Sequence, residues 1–423
     1  MRLLSTLAFL GAAQMVSTGW QPILAGKSRA LAWNVIARIS TELERCDPSD
    51  WSAVEISELA LLSAYLWLAD GRSDWCRRSI SYLNLAITKE IDCVPSGLHG
   101  GACGVAWIIE HLSWVLAEVV RPGRDAECDD PLSEFDDFIL SKLRRNLVKA
   151  YDLIEGLAGI GVYFLERLPR QAACEGLGHV LLALQRRVHS TPDGFTFHSS
   201  PDLLPNTQRW RCPTGYYNLG VAHGISGVIY FLAELEARNV GQAEARCLMN
   251  GLVKWLVCQR RPRHAVSWFP NWIVPGNATK DSRLSWCYGD IGIAAVLILV
   301  ARRTAREDWE LVAKATLDHA LQRSCERVVQ SELCHGALGI AHICNRVYQI
   351  SHCSRYKEAA IKYYERALIM LSSSVTSGVS DATRLRGLSF LEGDIGVALA
   401  LLSAVTRVEP HWDRRLILSG SAR

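Results

Sequence analysis

Two cysteine dipeptides in this chain stand in the same place relative to a glycine. Cys287–Tyr288 precedes Gly289 in SRLSWCYGDIG, and Cys334–His335 precedes Gly336 in CHGALGIAH. His223, in AHG, takes the corresponding place before Gly224. Cys287, Cys334 and His335 form a Cys2His donor set, which suits zinc with a fourth position left open for water or substrate. His223, titrating near neutral pH, suits proton transfer beside such a centre. Taken singly, a buried cysteine is usually a small apolar core residue, and common zinc motifs pair ligands two to four residues apart. The metal reading therefore rests on the shared register, and the register rests on a repeat.

Gly-x-x-Gly opens an apolar segment six times, from Gly101, Gly156, Gly224, Gly289, Gly336 and Gly393, at intervals of 47 to 68 residues. Internal similarity at this period marks a repeat architecture. EISELALLSAYLWLA reads as a degenerate seventh copy, with Glu55 and Glu58 in place of the glycines. The segments after the glycines are apolar all round for ten or more residues, which predicts buried helices. More polar stretches between them, such as SRYKEAAIKYYERALIMLSSS, predict an outer helical layer. The glycines permit a tight turn with positive φ and close backbone approach. The expected fold class is all-α: an α/α toroid of about seven helical hairpins, with an open solenoid as the competing arrangement. Two proline-rich stretches, 189–218 and 260–282, break the rhythm and predict loops with short strands, a small β-containing extension over one end of a single domain spanning 1–423. In a closed ring, equivalent positions of successive units surround one axis, so Cys287, Cys334, His335 and His223 would converge. His99 shares the register without a cysteine partner, and a core or structural histidine is expected there.

Composition excludes several classes. Lysine and arginine exceed aspartate and glutamate by three, which leaves no electrostatic footprint for nucleic acid or an anionic membrane. Fourteen cysteines at irregular spacing, with no Cys-x-x-Cys pair, fit reduced thiols and a cytoplasmic setting. No apolar run approaches the ~20 residues of a spanning helix. The opening MRLLSTLAFLGAA mildly resembles a signal peptide, but it lacks an obvious small-x-small cleavage site and runs on into the helical rhythm of SRALAWNVIARISTEL, so an amphipathic helix is expected.

YDLIEGLAGI, YNLGVAHGISG, SRLSWCYGDIG, CHGALGIAH and LEGDIG together resemble the lanthionine synthetase C-like (LanC-like) cyclases, from about Trp33 to the end of the last repeat. The resemblance implies a seven-fold α/α toroid and one zinc held by Cys287, Cys334 and His335. It also places active-site roles on Asp152, His223, Arg283 and Tyr288. The implied reaction is thioether closure in a ribosomally made peptide: a cysteine thiol adds to dehydroalanine or dehydrobutyrine, giving lanthionine or methyllanthionine. A free thiol, with a pKa near ~8.5, is mostly protonated at neutral pH, so a metal has a clear use. His223 would be the general acid that protonates the enolate. Asp152 would orient His223 or the substrate, while Arg283 and Tyr288 would steady the enolate oxygen. Blander roles stand beside these: Asp152 as a helix cap, Arg283 as half of an ion pair.

Other classes make distinguishable demands. A LanC-like glutathione-adding enzyme would act on the same dehydrated residues, but those relatives tend to carry histidine where this chain has Tyr288. A non-catalytic zinc-stabilised peptide-binding scaffold would not need His223 or Arg283. An α/α-toroid glycosidase needs paired carboxylates, and only Glu155 and Glu392 share the register. A zinc prenyltransferase on the same fold would be told apart by its product. The chain length points to a stand-alone cyclase. Its expected partners are a dehydrated precursor peptide, a separate dehydratase and an exporter, with membrane association only through those partners.

Overall fold

The computed structural model describes residues 19–89, 94–117, 130–376 and 387–420; the MRLLSTLAFLGAA segment lies outside them. The long helices, in chain order, are α1 (Gly26–Arg45), α2 (Ala53–Asp70), α3 (Ser73–Thr88), α4 (Ala102–Val115), α5 (Ser133–Arg144), α6 (Leu157–Arg167), α7 (Gln171–Gln185), α8 (Ile225–Ala237), α9 (Gln242–Cys258), α10 (Asp290–Arg303), α11 (Glu307–Leu321), α12 (Ala337–Ser351), α13 (Ser354–Thr376) and α14 (Asp394–Val405). The chain forms two compact units. One comprises Met1–Val94, Val105–Asp130 and Ser324–Trp412; the other comprises Pro95–Gly104, Pro131–Arg323 and Asp413–Arg423.

In the first unit α2 pairs with α3, α12 with α13, and α14 packs between α2 and α12. α14 is buried along its whole length, as a helix that is apolar all round must be. α2 is the degenerate repeat, and its glutamates do structural work. Glu55 completes a capping box with Ser52, and buried Glu58 accepts the N–H of Phe390 at 2.8 Å. The partner of α14 comes from the other end of the chain. α1 buries Ala32, Val35, Ile36, Ile39 and Leu43 on one face, the i, i+3, i+4 stripe of an amphipathic helix, and packs on α14. Trp20 Nε1 donates to Ser403 O at 2.9 Å, and the N–H groups of Ile23 and Leu24 both reach Ala404 O.

In the second unit α6, α8 and α10 form a buried row, backed by α7, α9 and α11 respectively, with α5 against α7. Every residue of α6 is buried. The two proline-rich stretches hold the short strands. β1 (His189–Thr191) and β2 (Gly194–Thr196) form a hairpin; β3 (His198–Ser199), β4 (Tyr216–Asn218) and β5 (Trp272–Ile273) form an antiparallel sheet in the order β3-β4-β5. Asp290, at the start of α10, accepts the N–H groups of Trp268 and Phe269 at 2.9 and 2.7 Å, fastening the second stretch to that helix.

The glycine turns owe their residue type to close approach more than to positive φ. Gly289 alone among the six first glycines has positive φ, at +81°. Gly156, Gly224, Gly336 and Gly393 are extended, with φ between −127° and −102°. A Cβ on the second glycine of each motif would collide with a backbone carbonyl, six times over: Gly104 with Leu98, Gly159 with Leu153, Gly227 with Val221, Gly292 with Trp286, Gly339 with Leu333 and Gly396 with Phe390. Each helix thus starts directly on the turn that precedes it.

Candidate metal centre

Backbone hydrogen bonds join successive turns in register. The N–H groups of Leu98 and His99 reach Ile154 O, Leu153 N–H reaches Ala222 O, and the N–H groups of Val221 and Ala222 reach Cys287 O at 2.9 and 3.3 Å. In the first unit Cys334 N–H reaches Leu391 O at 2.9 Å. Within each unit, residues two before successive first glycines are therefore neighbours of one another, as the sequence register requires. A second regularity lies four before the glycine. Asp152, Ser285 and Ser389 there each accept the N–H three residues on, from Glu155, Tyr288 and Glu392, at 2.9, 3.2 and 3.3 Å. This side-chain cap fixes the turn and aims the residue ahead of the glycine.

The ligand atoms of Cys287, Cys334 and His335 lie within 4.8 Å of one another. Zinc–sulfur and zinc–nitrogen bonds of about 2.3 and 2.0 Å put adjacent tetrahedral donors about 3.3–3.8 Å apart. Two thiols and an imidazole so placed fit a zinc ion with small side-chain adjustments. Cys287 is buried and the other two are half-buried. Arg283 Nη2 lies 3.6 Å from Cys287 Sγ, and the Ser285 hydroxyl lies 3.5 Å from it. His335 is flanked by carboxylates, with Nε2 3.0 Å from Glu332 and Nδ1 3.8 Å from Glu392. Such outer partners orient metal-binding imidazoles.

Asp152 and His223 form a pair, with Nδ1–H donating to Oδ2 at 2.7 Å. Asp152 thus caps its own turn with one oxygen and holds the histidine with the other. Burial alone would lower the His223 pKa. The Asp152 hydrogen bond and the negative charges of Asp152, Glu155 and Cys287 outweigh it and raise the pKa above its ordinary value. With Nδ1 committed, Nε2 is the nitrogen left for a substrate proton. Tyr288 follows Cys287 in the same turn. Its hydroxyl is 3.5 Å from Asn218 Nδ2, its ring meets Trp272 edge-on at 5.9 Å, and burial raises its pKa. His99 is buried, and its Nε2–H donates to Arg415 O at 2.9 Å, a structural histidine.

Sequence reasoning missed several supports. Asn218, fully buried on β4, accepts the Gly220 N–H at 2.9 Å and reaches Tyr288. Ser199 on β3 bonds the Tyr151 hydroxyl at 3.0 Å, and Phe197 stacks on that ring, backing the residue next to Asp152. The strands in the proline-rich stretches thus brace Tyr151, Tyr288 and their turns. Ser285 and Glu332 had a signal, the shared position four before a glycine, which becomes informative once the hydrogen bonds are known.

Comparison with known proteins bears on the family and the fold. The family model described as "Lanthionine synthetase C-like protein" matches residues 58–417, and the chain belongs to that family. It is similar to the nisin biosynthesis protein NisC of Lactococcus lactis subsp. lactis, with 20% identity over 379 residues, covering 85% of this chain and 87% of that protein. A solved nisin cyclase structure matches with a TM-score of 0.70 at 18% identity, over 92% of this chain and 96% of the other. The fold class is accordingly all-α, of the α/α-toroid type, as the repeat predicts. Among the described residues no helix is long and apolar enough to cross a membrane.

Proposed function

We propose that this protein is a zinc-dependent lanthionine synthetase, closing thioether rings in a precursor peptide that a separate dehydratase has dehydrated and that passes on to an exporter. The observation that carries the reading is the approach of the Cys287, Cys334 and His335 ligand atoms to within 4.8 Å. Likeness to proteins named for nisin biosynthesis supports the peptide class of substrate. A cytoplasmic setting fits the reduced cysteines: no disulfide joins the described residues.

Zinc, when bound by Cys287, Cys334 and His335, supplies the Lewis acidity that keeps a substrate thiol ionised at neutral pH. The thiolate sulfur adds to the β-carbon of a dehydroamino acid. The C–S bond forms as the alkene electron pair moves to the α-carbon and its carbonyl oxygen. His223 Nε2 delivers a proton to the α-carbon and regains one from solvent, so substrate and product have the same mass. Asp152 keeps the proton on Nδ1 and stabilises the imidazolium. Arg283, at 3.6 Å from Cys287 Sγ, offsets the charge of that sulfur and supplies a cation to a developing enolate oxygen. Tyr288 shapes the wall beside the same cysteine.

The test is zinc content together with cyclisation of a dehydrated peptide, with free thiols counted by alkylation and mass spectrometry. About one zinc per chain and a timed loss of alkylatable thiols are expected. His223→Ala should keep the zinc and slow closure by about 10²-fold. A folded protein that takes up no zinc, or that leaves every thiol alkylatable, would sink the proposal.

A further inference from the structure

The residues after Trp412 return to the second unit and end against its glycine turns. Arg414 Nη1 lies 2.8 Å from both carboxylate oxygens of Glu166 on α6, with both side chains buried. Arg415 Nη2 donates to Leu98 O at 3.2 Å, and Arg415 O accepts from His99 Nε2 at 2.9 Å. The next carbonyl, Leu416 O, accepts the indole N–H of Trp286 at 2.9 Å, across 130 residues of sequence. The His99 and Trp286 rings meet edge-on at 6.0 Å. Two aromatic side chains, from two turns, thus hold two successive carbonyls of one strap. Beyond them Ile417 is fully buried at φ +53°, a conformation a β-branched residue rarely adopts. The backbone there is held by Ile417 N–H to Arg414 O and Leu418 N–H to Asp413 O, and Tyr230 closes the end with a 2.7 Å bond to Ser419 O. Strain of this kind persists only where its surroundings over-determine it.

Trp286 is the residue before Cys287. Its backbone carbonyl lies under Gly292, the Cys287 carbonyl is held by the neighbouring turn, and its indole is held by the strap. We propose that the strap Asp413–Gly420 is a positioning element of the cysteine turn, acting through the Trp286–Leu416 hydrogen bond to fix the direction of Cys287 Sγ. Its consequence for metal binding rests on the zinc reading above; its consequence for the thiol does not. Trp286, Arg415 and Leu416 are positioning residues and do not touch the reacting atoms.

Two variants of the full chain separate this from a merely structural role. Trp286→Phe keeps an aromatic ring and removes the donor next to Cys287. Tyr230→Phe removes a strap bond on the opposite flank. Two quantities are measured: Co2+ affinity by titration of the thiolate charge-transfer band, and alkylation of Cys287 in metal-free protein, mapped by mass spectrometry. Cys287 is 2% exposed, so a fixed thiol alkylates slowly. Trp286→Phe should weaken Co2+ binding about 10-fold, in the range seen when outer partners of ligands are removed, and speed Cys287 alkylation by a similar factor. Tyr230→Phe should change the melting temperature while leaving both readouts alone. If the two variants lose stability alike and neither readout separates them, the strap is only a core-filling element and the proposal fails. If the wild type binds no Co2+, the zinc reading fails, and the alkylation comparison alone decides the positioning role.

Discussion

The turns ahead of Gly156 and Gly289 share a plan and carry different chemistry. In each, the side chain four before the glycine caps the turn, Asp152 in one and Ser285 in the other. In each, the second glycine sits on a backbone carbonyl, that of Leu153 or of Trp286. In each, the carbonyl two before the first glycine accepts hydrogen bonds from the preceding turn. That position is Ile154 in one and Cys287 in the other. The requirement common to both is backbone packing, which leaves the two side chains ahead of the glycine free to differ. One scaffold can therefore present a thiol in one repeat and an apolar side chain in another.

The strongest way to break that comparison is to exchange the chemistry and keep the backbone. Cys287→Ala should retain no zinc after dialysis and lose cyclisation, whereas Ile154→Ala should keep both and lose only stability, read by elemental analysis and thermal melting. Equal zinc in the two would mean that position has no special role in the cysteine turn. A smaller effect sharpens the shared part. Gly159→Ala and Gly292→Ala each drive a Cβ into a carbonyl and should both cost about 2 kcal/mol or more in denaturant titrations, the scale of core overpacking. Only Gly292→Ala should also weaken zinc binding, because of the two turns only that one carries a proposed ligand.

The smallest effect expected is a shift along the pH axis. In the proposed mechanism His223 donates as its protonated form, and its pKa lies above the ordinary value of about 6.5. The cyclisation rate should therefore hold through neutral pH and fall as pH rises through that raised value. Asp152→Asn removes one of the charges that raise the pKa and turns a charge-assisted hydrogen bond into a neutral one, so burial, which lowers the pKa, weighs more. The fall should then begin at lower pH in a profile of kcat/KM from pH 6 to 9. An unmoved profile would detach the pair from proton delivery. Linkage has the same sign: the stabilisation from protonated His223 is full below the unfolded pKa and is lost as pH passes the raised one.

Much of this protein is written locally. Glycines that cannot carry a Cβ, apolar segments too continuous for a surface helix, and donor residues at one offset from the glycine are read from the chain, since each rests on contacts within a few residues. The proline-rich breaks in the repeat likewise announce the strands. Other features depend on which distant segments meet. Nothing in α1 names α14 as its partner; its apolar stripe fits any buried row, and the choice came with the hydrogen bonds of Trp20, Ile23 and Leu24 to the other end of the chain. The positive φ at Gly289 and its absence at the other five first glycines likewise follow from packing, because glycine permits either conformation. Asp152 reads from its own neighbourhood as a cap, and its role of orienting His223 came only with the family resemblance; the bond itself forms because two turns 71 residues apart lie side by side. The strap at 413–420 carries no motif at all. Its position was decided by the buried carboxylate of Glu166 and the indole N–H of Trp286, polar groups that must find partners inside the fold.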